Sequence, residues 1–198
     1  MALRIKTKWH RSNRSERNKA GSSKQKTIED LAGVIAFNIW KVSQETYKRM
    51  EKEGFHFRED KQVSDIITEV IAFLVQVADR MVYGKIDEEE RTRFVTALAQ
   101  ELGKTLDSNL RDLFGKGDYI QPFFNTLNER FADYAEFPFE DNQPSYGAKR
   151  YLGDKIAEHM KATDNKWVLE QVIDIEVPEA LKIVQRMVID VMGLRERS

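Results

Sequence analysis

Residues 60–83 constrain the fold of this chain more than any other stretch. Val63, Ile66, Ile67, Val70, Ile71, Phe73, Leu74, Val77, Ala78, Met81 and Val82 recur at helical spacing, yet they cover most of the circumference instead of one stripe. A helix of that kind is stable in water only when other elements surround it. It is predicted from about Asp60 to Tyr83, ended by Gly84, and it should be the central, most buried helix of whatever the rest of the chain builds.

The neighbours it needs are present on both sides. Thr27 followed by Asp30 is a variant of the capping box. Ile28, Leu31, Ile35, Ile39, Val42, Thr46 and Met50 then recur at helical spacing, with Phe37, Trp40 and Tyr47 widening the face until Gly54. Asp87 with Glu90 starts a long helix whose stripe is Phe94, Val95, Leu98, Leu102, Leu106, Leu110 and Leu113. On its outer face Glu89 precedes Arg93 and Asp107 precedes Arg111 at the four-residue spacing of ion pairs. Gly115 to Asp118 reads as a turn and N-cap, Pro122 fits the first turn of the next helix, and Tyr119, Phe123, Phe124, Leu127, Phe131 and Tyr134 share a face. Residues 137–145 read as a loop, after which Ser145 caps a helix over roughly 146–162. Asn165 or Asp164 starts a shorter helix holding Trp167, Leu169, Val172 and Ile173. Pro178 then restarts the chain in a last helix with Leu181, Val184, Met187, Val188 and Val191, stopped by Gly193. No β alternation is found; Val172 to Val177 could be written as a short strand, but it has no partner. The expected fold is all-α: residues 27–198 form a single-domain bundle of about six or seven helices, without an internal repeat.

Charge divides the chain in two. Residues 1–26 carry nine Lys or Arg against the single acid Glu16, about +8, whereas the whole chain is −1, so the remainder is about −9. The basic N-terminal arm is too polar to bury a core and is expected to be flexible. It lacks the apolar run of a secretory signal. Its Arg- and Ser-rich composition is that of an organellar transit peptide, but Leu3, Ile5 and Trp9 do not give the amphipathic spacing such peptides need, and a cytoplasmic location is expected. The longest charge-free stretches, Leu31–Trp40 and Tyr119–Asn128, are half the roughly 20 residues of a spanning helix, so no transmembrane segment is expected. The absence of cysteine excludes disulfides, thiolate metal sites and cysteine nucleophiles.

Candidate chemistry is sparse. Of the histidines His10, His56 and His159, only His56 completes a Glu-x-x-His spacing, Glu53-Gly54-Phe55-His56, and a glycine interrupts it. Glu158 and His159 are adjacent and so point about 100° apart. Neither pattern makes a metal site. Glu69 and Asp79 interrupt the central helix; an acid buried there would need a partner or a raised pKa, and the plainer reading puts both on a narrow wet face beside Gln62, Gln76 and Arg80. Gly115-Lys116-Gly117 opens a helix but lacks the other parts of a phosphate loop. No catalytic residue, cofactor or metal ligand is assigned.

Two features remain. Phe114, Tyr119, Phe123, Phe124, Phe131, Tyr134, Phe137 and Phe139 lie within 26 residues, and Phe137 and Phe139 flank Pro138 where helical periodicity has ended. The helical aromatics are expected in the core. Phe137, Phe139 and Tyr146 are the candidate contacts for a protein partner or for self-association. In the arm, Arg4, Lys6, Lys8, Arg11, Arg14, Arg17 and Lys19 are candidates for weak, salt-dependent polyanion binding. The leading expectation is a non-catalytic helical interaction or adaptor protein. The alternatives are a metal- or small-ligand-dependent enzyme or binding protein with a site between helices, and non-specific nucleic-acid binding by the arm.

Overall fold

Thr27 starts the first helix as its sequence announces. Its hydroxyl accepts from the Asp30 main-chain N–H at 3.2 Å and its own N–H donates to the Asp30 carboxylate at 3.2 Å. The computed structural model describes residues 26–57, 60–160 and 167–194. Along them run α1 (Ile28–Lys52), α2 (Asp60–Val82), α3 (Glu88–Phe114), α4 (Ile120–Ala135), the two-residue strands β1 (Phe139–Glu140) and β2 (Gln143–Pro144), α5 (Tyr146–Met160), α6 (Val168–Glu170), a π-helical turn Gln171–Glu176 and α7 (Val177–Met192). The fold is an all-α bundle. Among the described residues no helix is long and apolar enough to cross a membrane.

The α2 helix is the axis of this bundle and touches α1, α3, α4, α5 and α7. From Gln62 to Asp79 every residue except Asp65 is buried. This overturns the expected wet face: Glu69, Asp79, Gln62 and Gln76 are all buried, because five helices leave α2 no exposed side on which to put them. Around it, α1 packs against α3 and α7, and α3 packs against α4. Gly103, in the middle of α3, allows the closest approach. A Cβ there would stand 3.3 Å from both Phe123 and Phe124, so a residue that weakens helices by about 1 kcal/mol lets the aromatic face of α4 lie flat on α3.

Three local expectations need correction. Residues 137–145 hold a small antiparallel hairpin, Phe139 opposite Pro144 and Glu140 opposite Gln143. Asp141 (φ 50°) and Asn142 (φ 59°) form the turn with the left-handed backbone that such two-residue hairpins require, and Asn and Asp tolerate it best after Gly. Pro178 does not restart the chain. The helix runs from α6 into α7 and widens into the π turn ahead of the proline, whose ring lacks an N–H and would clash with a regular preceding turn. Residues 172–177, where the sequence offered no partner for a strand, fall within that helical run, as the all-α reading requires. On the outside of α3, Arg111 pairs with Asp107 as expected, at 2.7 Å, but Arg93 reaches across to Glu29 of α1 at 2.7 Å instead of pairing with Glu89.

Ile71 and Leu74 are both fully buried on α2. Ile71→Asp or Leu74→Asp should each cost on the order of 4 kcal/mol or more and abolish the cooperative thermal transition, because each places an unpaired charge in the hydrophobic core. Wild-type-like melting of both variants would contradict the central position of α2.

Candidate functional site

Every buried acid on α2 meets an arginine from another helix. Near the C-terminal end of α2, Asp79 is held two-pronged by Arg91 of α3 at 2.7 and 2.9 Å; this arginine also binds Glu88 and stacks on Tyr83 at 4.8 Å. Toward the middle, Glu69, 1 % exposed, accepts Nε of Arg130 at 2.7 Å and Nη2 at 2.9 Å, the paired geometry that a guanidinium and a carboxylate favour. Arg130 is the only basic residue of α4. It stands seven residues after Phe123 and four before Tyr134, on the buried face of that helix. Its Nη1 is held by Glu129 at 2.7 Å and by Asp133 at 3.3 Å, and Asp133 in turn accepts from the hydroxyl of Tyr151.

A third helix completes the cluster. His159, in the last turn of α5, brings Nε2 to 3.3 Å from Glu69 and Nδ1 to 3.8 Å from Asp65. Gln62 fixes its position by donating to the His159 main-chain carbonyl at 2.8 Å. Burial, the largest single influence on Glu69, pushes its pKa up, but the hydrogen bonds from His159 and Arg130 outweigh it and leave the carboxyl below its ordinary range. The Glu69 carboxylate raises the pKa of Arg130, against the opposing effect of burial. Burial first, and then the bond to Asp133, raises Tyr151. Burial also drives Tyr134 well above its usual value. At neutral pH the pair is therefore ionised and the two tyrosines beside it are neutral.

This cluster forms one end of a cavity of about 490 Å³. Helical spacing assembles its walls. Lys61, Ser64, Asp65, Thr68 and Glu69 come from one face of α2, while Leu106, Leu110 and Phe114 follow at four-residue steps along α3. From α4 and the turn before it come Tyr119, Pro122, Phe123, Thr126 and Arg130. Among the lining residues Glu69, Arg130 and Phe123 are buried, whereas Phe114 is 43 % exposed. The lining thus combines polar groups, Asp65, Glu69, Arg130 and His159, with aromatic and aliphatic ones, Leu106, Leu110, Phe114 and Phe123.

The residues singled out from sequence separate accordingly. Glu69 belongs to this cavity and Asp79 does not. Phe114, Tyr119 and Phe123 line it, whereas Phe137 and Phe139 pack half-buried against the core, Phe137 on Tyr134 and Tyr151 and Phe139 under Arg80. Tyr146 is 65 % exposed. Glu53 and His56 are both exposed at the end of α1, and among the described residues no three His, Cys, Asp or Glu side chains converge as a metal site would need. The Asp118 carboxylate accepts from the Gln121 N–H, occupying a free amide at the start of α4 that an anion would have used. His10, Arg4, Lys6, Lys8, Arg11, Arg14, Arg17 and Lys19 lie outside the described residues. Arg130 was not singled out from sequence, and His159 was weighed there only as a metal ligand beside Glu158. Arg130 carried a usable signal, since a cation inside the stripe Phe123, Leu127, Tyr134 demands a buried acid, and the central helix offered Glu69.

Because the pKa of Glu69 falls on folding, its ionised form contributes stability that is present above the ordinary carboxyl value of 4.5 and is lost as pH drops through the lower folded value. Glu69→Gln should therefore destabilise the protein by about 3 kcal/mol at pH 7, and the gap from wild type should narrow below about pH 4.5 in chemical denaturation. A gap independent of pH would contradict the ionised pair. No family model, curated protein or solved structure matches the chain, and what the site does is argued from its own geometry.

Proposed function

We propose that the protein binds a small amphipathic molecule in the cavity between α2, α3 and α4, with an apolar body against Phe114, Tyr119 and Phe123 and a polar head toward Asp65, Ser64 and His159. One observation carries this reading. A cavity of about 490 Å³ combines aromatic side chains with a buried, ionised Glu69–Arg130 pair in its lining. Ligand sites typically measure about 300–1,000 Å³, with a mostly apolar lining and a few convergent polar groups. A fold that needed the Glu69–Arg130 pair only for packing would gain nothing from open space beside it.

Binding is favoured over catalysis by the way Glu69 and His159 are occupied. Both ring nitrogens of His159 face carboxylates, and both oxygens of Glu69 are taken by Arg130. A general base needs a free lone pair within reach of its substrate. The reading as a protein-interaction module has less support, since Phe137 and Phe139 are half-buried and, of the three proposed contacts, Tyr146 alone stands out from the surface.

Titration with the neutral fluorophore N-phenyl-naphthylamine should give saturable binding to one site. Thr126→Phe, which adds a ring from the half-buried position on α4 into the cavity, should abolish it without lowering the melting temperature. Absence of saturable binding, or binding indifferent to Thr126→Phe, would refute this function.

A further inference from the structure

The charges around the cavity discriminate between head groups. Resting on the cavity reading above, we propose that the molecule bound there is an organic cation, an ammonium group on an apolar or aromatic body, with Asp65 as its counter-ion.

The site already holds cations, and each is paired. Arg130 is surrounded by three carboxylates, Glu69, Glu129 and Asp133, so its charge is more than neutralised before any ligand arrives. Lys61 is bound to Asp65 at 2.6 Å and is 78 % exposed. Arg111, near the mouth, is bound to Asp107 at 2.7 Å. A carboxylate or phosphate entering the cavity would find each of these cations already paired with a carboxylate. It would also meet the unfavourable field of Asp65 and Asp118, which line the walls.

A cation finds the opposite. Asp65 is 30 % exposed, and its Oδ2 alone takes both the Lys61 and the His159 contact, leaving Oδ1 without a partner among the described residues. Lys61 is a solvated side chain that a better-placed ammonium can displace at little cost, because exposed pairs of this kind hold weakly. At the mouth, the rings of Phe114 and Tyr119 have their centroids 6.5 Å apart, and their faces attract an ammonium or the polarised methylene groups beside it. The buried Glu69–Arg130 pair keeps the floor neutral as a unit, so recognition of the charge falls to Asp65.

Three probes of one size separate the possibilities: phenylbutylamine, phenylbutanol and phenylbutyrate, measured by calorimetry on the full chain at constant salt. The amine should bind about threefold to tenfold more tightly than the alcohol, and the carboxylate most weakly. Asp65→Asn should remove the preference for the amine while leaving the alcohol unchanged. Lys61→Met, which frees Asp65, should strengthen amine binding. Both positions are solvent-accessible, so both variants should melt like wild type. If the alcohol binds but the carboxylate matches or exceeds the amine, or if Asp65→Asn leaves amine affinity unaltered, the cationic assignment is overturned and the cavity reading stands. If none of the three binds, both fall.

Discussion

An acid on a helix enclosed on every side has to meet a cation inside the protein, and the Glu69–Arg130 pair is where that requirement shapes this molecule. Desolvating a carboxylate alone would cost more than the whole net stability of an ordinary domain. Two charge-assisted bonds from one guanidinium restore what water supplied, but only if α4 lies against α2 with Arg130 opposite Glu69. That register then brings Phe123 and Thr126 to the same side and sets the width of the space toward α3. The same solution recurs where Arg91 meets Asp79 and where Arg49 of α1 meets the buried Glu176 at 2.7 Å, with Gln171 across the π turn supplying a further bond to that acid at 3.0 Å. Of these three pairs, the Glu69 pair lines the cavity of about 490 Å³.

Most of the helical architecture was legible from periodicity and caps. The Thr27 and Asp30 box, the Asp87 start, the Ser145 cap and the glycine stops at 84, 115 and 193 all act locally, so sequence alone can report them. What escaped depended on contacts between distant segments. The apolar circumference of α2 implied that it was enclosed, and Glu69 and Asp79 were nonetheless assigned a wet face, since their partners sit 61 and 12 residues away. Arg93 shows the same limit in miniature: its sequence neighbour Glu89 was available, yet Glu29 on another helix is the partner it reaches.

The aromatic concentration between residues 114 and 139 also had two meanings that spacing could not separate. Phe114, Tyr119 and Phe123, at the end of α3 and the start of α4, line the cavity, whereas Phe137 and Phe139, before and within the hairpin, pack half-buried against the core. A two-residue hairpin leaves almost no alternation to detect, so its effect on those side chains was invisible before the fold was known. The functional emphasis moves with them, from an exposed loop to an interior site.

The central claim is that Glu69 and Arg130 act as one unit, holding α2 and α4 in register while leaving the cavity open beside them. A double-mutant cycle in denaturant tests it directly, using Glu69→Leu, Arg130→Met and the two together. Each single change should cost about 3–5 kcal/mol by stranding a buried charge, and the double variant should be more stable than the sum of the singles implies by about 2 kcal/mol or more. Additive losses would show that the two residues do not depend on each other, and the account of the site built on their pairing would fail.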